Sequence, residues 1–352
     1  MPFSLPPIAL IIAAVVVVLL LIFVITSIVR CSAPSEPEAQ PATSEQAANP
    51  SENAASSASS ASTNASAASS SSSESSSSAS QDQAEEEPAE IDKSNDTQKE
   101  LVTILGEDEA TKLLTAAQKN KQTLWIAAHP DRYAFDGYEV QYKILKLAAD
   151  EPAAVPFVRE FPAQYPSKDV RNDESIAMDT HSPSENVPDT NVPHLYQWDR
   201  RWGNTVYSSA AFGLTGCGPT SLAMVYQGIK NTADKNPHDL AVIAEERGYM
   251  SQYEGTAGAF FTDMAGELGL NCEELYPTSD SITEALKAGK VVIANLGPGS
   301  FTEHGHFFVL TGLTSDGKVI INDPYSFERS SQTWDADTIA NESITLYSYS
   351  AA

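Results

Sequence analysis

The chain has 352 residues and a formal net charge of −26, from 21 basic and 47 acidic side chains. An acidic excess of that size repels phosphate backbones and anionic lipid surfaces, which excludes nucleic-acid binding and a polybasic membrane patch. The three cysteines, Cys31, Cys217 and Cys272, are too few for a disulfide framework and include no CxxC pair, so each needs its own explanation.

Residues 8–25 are an unbroken apolar run that continues to Val29 without meeting a charge. At 1.5 Å per residue it is long enough to cross a hydrocarbon core of about 30 Å. The competing reading is a cleaved signal peptide, whose apolar core is usually about 7 to 15 residues and follows a basic start. The opening MPFSLPP has no side-chain cation, and Arg30 stands where a lipidated Cys31 would need a small residue. Residues 1–30 are therefore expected to be a retained transmembrane anchor. By the positive-inside rule Arg30 alone would point the chain inward, but it is a single charge.

Residues 31–95 are rich in Ser, Ala and Glu and end in the cluster Glu85, Glu86, Glu87, Glu90 and Asp92. Such a segment buries too little apolar surface to offset its ordering entropy and is expected to be disordered. As a flexible coil it reaches on the order of 45 Å. A stalk between an anchor and a globular unit suits the outside of a bacterial cell, spacing the unit into or through the wall; the alternative is a tail with no spacing role. The expected location is the cell membrane, single-pass, with the C-terminal domain extracytoplasmic.

Residues 96–166 read as a small helical region. Leu101, Ile104 and Leu105, then Leu113, Leu114 and Ala117, then Leu124, Trp125 and Ile126 recur at helical intervals, interrupted by Gly106 and Pro130. Residues 138–147 continue the pattern, and Pro152, Pro156, Pro162 and Pro166 then predict an extended, irregular path. Trp125, His129 and Tyr133 are candidates for a ligand site, but aromatic residues at helical spacing favour core. The region is assigned a structural or positioning role, and the polar residues 167–191 a linker.

From residue 192 to the end, alternating apolar strands and Gly-rich turns surround one helix opened by Gly216-Cys217-Gly218-Pro219. Pro219 fits a first helical turn, which puts Cys217 at the helix N-terminus, where unpaired N–H groups and the helix dipole favour the thiolate. The flanking glycines are expected to leave open space for a substrate backbone. The alternative is a buried cysteine at a helix start. Further on, Asp316-Gly317 between two apolar runs predicts a hairpin. Folding it back brings His306, at the start of one strand, to the same end as Asp323, at the finish of the other. His306 would take the thiol proton while Asp323 fixes its tautomer; His304, two positions earlier, is the rival base.

The motifs GCGPTSLAMV, preceded by YQWDRRWG and followed by GPGSFTEHGHFFVLTG and DGKVIINDP, together resemble the bacterial peptidase family thirty-nine-like domain over residues 192–349. That resemblance implies an α+β, papain-like cysteine peptidase fold, with the nucleophile's helix packed on an antiparallel sheet, over residues 192–352. It implies Cys217 as nucleophile, His306 as general base and Asp323 as orienting residue. In papain-like folds a glutamine upstream of the cysteine completes the oxyanion hole. Gln197 is the candidate here, twenty residues before Cys217, a longer separation than is usual. By the same resemblance, residues 250–261 and 297–300 are candidate cleft walls, against a reading as turns with buried aromatics. Trp198 and Trp202 are expected beside the cleft, and Cys272 is expected to be structural.

No GxxxxGK[ST] motif occurs, so no ATP-driven export is carried by this chain. Cys217, His306 and Asp323 fall short of usual zinc ligation, and no cofactor is expected. The implied activity is hydrolysis of peptide or isopeptide bonds by an extracytoplasmic thiol hydrolase. The implied partners are a peptide, protein or peptidoglycan substrate and, through the N-terminal helix, the membrane. The alternatives are an NlpC-type hydrolase of peptidoglycan stem peptides and a catalytically silent surface binding module.

Overall fold

The computed structural model describes residues 87–171, 176, 187–251 and 255–352. The expected anchor and most of the Ser-rich segment lie outside these residues; within them no helix is long and apolar enough to cross a membrane.

The helical region opens with α1 (Asp96–Leu105), whose first N–H groups are capped by the Asn95 side chain. Gly106, at φ +84°, makes the turn into α2 (Glu107–Ala117), which carries three carboxylates in its first turn, where the helix dipole favours them. Then follow α3 (Lys121–Ala128), a 3₁₀ turn (Pro130–Asp136), α4 (Tyr138–Asp150) and α5 (Val155–Gln164). The extended path predicted from the prolines is not found, because α5 contains two of them. Pro156 sits in the first turn, where its missing N–H is no loss. Pro162 lies inside the helix and cannot bond the carbonyl of Val158. The Tyr133 hydroxyl donates to that carbonyl instead, at 3.0 Å, from a fully buried position. A tertiary donor thus replaces the backbone donor that proline lacks.

The rest of the chain runs β1 (Val206–Tyr207), β2 (Ala210–Ala211), α6 (Phe212–Thr215), α7 (Cys217–Lys230), α8 (Pro237–Glu246), β3 (Met250–Ser251), β4 (Gly255–Thr256) and α9 (Ala259–Asp263). It continues with β5 (Leu270–Leu275), α10 (Ser279–Lys287), β6 (Val291–Leu296), β7 (His306–Leu313), β8 (Val319–Asn322), α11 (Phe327–Ser330), β9 (Thr333–Trp334), α12 (Ala336–Glu342) and β10 (Ser343–Ala351). Six strands form one antiparallel sheet in the order β5-β10-β6-β7-β8-β9. Successive side chains alternate between its faces. Ile293, Phe307 and Val309 pack with Leu222, Val225, Leu240 and Phe260, while Val292, Ala294, Phe308 and Leu310 pack with Ile282, Leu286 and Ile339. Helices cover both faces, which is why β6 reads as a continuous apolar run rather than an alternating one.

The helical and sheet regions share a core. Tyr196, Trp198, Ala210 and Ala211 pack among Leu101, Leu113, Ile144 and Phe161. Phe157 of α5 lies so close to Gly203 and Gly213 that a Cβ there would come within 2.9 Å and 2.6 Å of its ring. Glu160 binds Arg171 at 2.7 Å and Arg200 at 2.6 Å, so the start of the segment read as a linker is held against α5.

Candidate active site

Cys217 is the first residue of α7, and the first-turn N–H groups of any helix have no partner within it. Thr220 returns its hydroxyl to the Gly216 carbonyl at 2.8 Å, tightening the turn behind the cysteine. The helix is tied to the neighbouring strand where Ser221 donates to the carbonyl of Phe307, the residue after His306, at 3.2 Å. The flanking glycines do not leave open space. A Cβ at Gly216 would lie 2.5 Å from the Phe212 ring, and one at Gly218 2.5 Å from the Thr256 hydroxyl. Both are glycine because side chains press on the turn that presents the sulfur. Thr256 is in turn bonded to the buried Tyr207 hydroxyl at 2.7 Å.

The hairpin of β7 and β8 brings His306 and Asp323 together: Nε2 of the imidazole meets Oδ1 of the carboxylate at 2.7 Å. Asp323 is fully buried. Its Oδ1 also accepts from the N–H of Tyr325 at 2.8 Å and of Ser326 at 3.3 Å, and its Oδ2 accepts from Arg329 Nε at 2.6 Å. Burial works against the charge, but the Arg329 and His306 cations hold the carboxyl well below the usual range. Burial likewise opposes a charged His306. The Asp323 charge and hydrogen bond, with a hydrogen bond and charge from Cys217, overcome it and raise the ring to about 9. With Nε2 committed to Asp323, Nδ1 is the nitrogen left for the sulfur.

Gln197 is buried beside these elements. Its N–H donates to the carbonyl of Pro324 at 2.8 Å, and its Nε2 to the carbonyl of Gly213 at 2.9 Å, so it bridges the Asp323 turn and the loop leading to Cys217. His304 is not on the strand: β7 starts at His306, and His304 is exposed in the preceding loop. Trp198 is buried in the shared core, stacked on Tyr196, and its Nε1 donates to Tyr325; Trp202 lies in the core beneath α7. In the stretch read as a cleft wall, Phe260 and Phe261 are fully buried core residues, and residues 252–254 lie outside those described. The loop at residues 297–300 is exposed at its tip, where Glu342 accepts from the Ser300 N–H at 2.8 Å. Tyr133 is core, while Arg159 covers the Trp125 ring on which His129 stacks. Cys272 is half-buried, and burial pushes its thiol up to about 11.

Arg329 and Ser330, missed from the sequence, complete the surroundings of Asp323. Ser330 Oγ accepts from the Asp323 N–H at 2.8 Å, and His194 Nε2 bonds the Asp323 carbonyl at 2.8 Å. The run Asp323 to Ser330 contains one capping signal, Ser326 before α11, which was available to find them. A cavity of about 480 Å³ opens behind this turn, lined by His194, Asn322, Phe327 and Ser330; neither Cys217 nor His306 lines it, so it is separate from that pair. Among the described residues no cluster of three or more His, Cys, Asp or Glu side chains is arranged to hold a metal ion.

Residues 189–351 match the Peptidase_C39 like family. The matched span holds the sheet, α7 and the Asp323 turn, and leaves out α1 to α5. Among solved structures, the peptidase domain of Streptococcus ComA, a bi-functional ABC transporter involved in a quorum-sensing pathway, is similar over 39% of this chain and 93% of that one, at 16% identity and a TM-score of 0.32. No curated protein matches the chain.

Proposed function

We propose that residues 189–351 act as a cysteine peptidase in which Cys217 attacks an amide carbonyl, His306 carries the proton and Asp323 orients the ring. The observation that supports this reading most strongly is the His306–Asp323 pair, bonded at 2.7 Å and packed where Cys217 contributes to the charge of the ring. A ring raised to about 9 is protonated at neutral pH, and an imidazolium beside sulfur is the partner a thiolate needs. The sulfur bonds to the carbonyl carbon, and as the C–N bond breaks His306 gives its proton to the leaving amine. Water, losing a proton to the same ring, then hydrolyses the thioester and releases the acid, leaving the thiolate beside the imidazolium as at the start.

The oxyanion needs donors, each worth about 2.7 to 4 kcal/mol of barrier. The N–H of Cys217 is one; the second hydrogen of Gln197 Nε2, the first being spent on Gly213, is the other. The same reading holds the domain outside the cytoplasm, tethered by residues 8–25 and spaced by residues 31–95. A tether of that length suits peptidoglycan stem peptides as well as proteins, and mass spectrometry of digested wall fragments separates the two.

The deciding experiment is the pH dependence of Cys217 alkylation in the full-length chain, with Cys272 as internal control and His306→Ala alongside. Fast labelling of Cys217 that persists below about pH 6 and is lost in the histidine variant is the expected result. Labelling that tracks an ordinary thiol in both proteins would leave a silent binding module instead.

A further inference from the structure

We infer that Glu151, which lies outside the span matching the family, is a positioning residue for this site: its carboxylate holds the turn that aims Asp323 at His306. The inference rests on the peptidase reading above.

Glu151 follows the last residue of α4 and precedes Pro152, so the helix ends there and the side chain is free to leave its axis. It leaves inward, and the residue is 3% exposed. Its Oε2 accepts from the Phe327 N–H at 3.1 Å, a bond between residues 176 apart in the chain. Ser326 Oγ accepts from the Arg329 N–H at 3.2 Å. The same short stretch grips Asp323: the N–H groups of Tyr325 and Ser326 on Oδ1, Arg329 on Oδ2 and Ser330 on the backbone N–H. The path is therefore continuous: Glu151 fixes residue 327, which follows directly on Tyr325 and Ser326 in the turn that fixes Asp323, and Asp323 fixes His306.

Packing supports the same assignment independently. Tyr325 and Phe327 pack against the core that joins α1 to α5 with Tyr196 and Trp198, and not against the cores on the two faces of the sheet. The turn that carries the orienting carboxylate thus rests on the core that the helical region shares with the matched span.

A buried carboxylate in this place needs explaining, because Asp323 faces it with like charge and Asp150 adjoins it in sequence. Burial, with Asp323 adding to it, pushes Glu151 up to about 7 against the pull of Ser326, the Phe327 N–H and Arg329. Tyr325 is the remaining titratable neighbour. A residue that only filled the space would be apolar; what a carboxylate adds is acceptors for the donors of the turn.

The test is iodoacetamide labelling of Cys217 against pH in full-length wild type, Glu151→Ala, Glu151→Asp and Glu151→Gln, with His306→Ala alongside. Aspartate keeps the carboxyl group but is one methylene short of Phe327; glutamine keeps the reach and an acceptor. The alanine and aspartate variants are expected to label Cys217 about tenfold more slowly near pH 6, with the profile moved about one unit upward, as a loosened Asp323 stabilises the imidazolium less. Glutamine is expected to restore most of the lost rate, and Cys272 to label as in wild type. Should alanine fail to fold, the aspartate–glutamine contrast carries the test. Wild-type labelling in both shortened variants, or Cys272 becoming reactive in step, overturns the positioning role. If His306→Ala still abolishes fast labelling, only this inference has failed; if His306→Ala also labels like wild type, the peptidase reading itself has failed.

Discussion

The helical and sheet regions bury polar groups very differently. In α1 to α5 the buried side chains are apolar apart from Thr123, Gln141 and, at the end of α4, Glu151. Gln141 serves the chain itself, donating to the Pro130 carbonyl at 2.9 Å. The sheet region instead gathers Gln197, Thr220, Ser221, His306, Asn322, Asp323, Ser326 and Ser330 around the ends of two strands and one helix. Buried polar groups cost stability unless they are paired, so their concentration marks where chemistry is placed. Glu151 is the buried carboxylate of the helical region, and its partners are in the sheet region. The contrast separates a framework from a site, with Glu151 the buried carboxylate of the framework that reaches across.

The sharpest break of that contrast comes from the reacting atom. Cys217→Ala removes the proposed nucleophile and is expected to lower turnover of a cleavable substrate at least about 10³-fold with unfolding unchanged, measured by product release and by thermal melting. Phe157→Ala is the opposite experiment, a framework change far from the sulfur in sequence. It empties a fully buried position that touches Gly203 and Gly213 and is expected to cost about 3 to 5 kcal/mol in urea unfolding. Because the core is shared, both regions should unfold in one transition.

Gln197→Ala sits between the two kinds of effect. It removes the proposed oxyanion donor, which would lower kcat about 10² to 10³-fold, and also the side-chain bond to the Gly213 carbonyl, while the backbone bond to Pro324 stays. A fall in kcat with little change in KM is the expected signature, and a change confined to stability would leave Gln197 a structural bridge.

Much of the site was legible in the sequence because its signals are local. Gly-Cys-Gly-Pro places a cysteine at a helix start, and Asp-Gly between apolar runs folds His306 back towards Asp323; both follow from spacing. What escaped depends on long-range contact. Nothing near Pro162 says that Tyr133 will take up the orphaned Val158 carbonyl, so the prolines read as an extended path. Thr256, which presses on Gly218, lies far along the chain, and although Phe212 is only one helical turn before Gly216 the spacing does not say that its ring folds onto that glycine, so the glycines read as open space. Glu151 and Phe327 meet across 176 residues, beyond the reach of any periodicity. His304 and His306 are equivalent by alternation and differ only because the strand begins at the second.

The pH dependence of stability tests both regions in one titration. His306 is raised from 6.5 to about 9, so its contribution is complete below about pH 6.5 and is lost as the pH rises through 9. Glu151 is raised from 4.5 to about 7, so its contribution is complete below about pH 4.5 and is lost as the pH rises through 7. Asp323 works in the other sense: its carboxyl is depressed, and its contribution disappears as the pH falls below the usual carboxylate range. Urea unfolding of wild type against His306→Gln should differ in slope between pH 6.5 and 9, and against Glu151→Gln between pH 4.5 and 7, each by on the order of 1 to 3 kcal/mol across the window. Identical slopes in all three proteins would remove the electrostatic basis for linking the two regions.

The smallest effect belongs to the framework alone. Tyr133→Phe keeps the ring in its fully buried place and deletes only the hydroxyl that serves Val158. The carbonyl is left without its donor, beside a proline that cannot supply one, at a cost of about 1 to 2 kcal/mol. Thermal melting should show that loss while Cys217 labels at its wild-type rate. Because α5 also carries Phe157, against Gly213, and Glu160, paired with Arg200, a slower Cys217 in this variant would mean that strain in α5 reaches the loop before Cys217. In that case the separation of framework from site would fail at α5, with Glu151 one of two links between them.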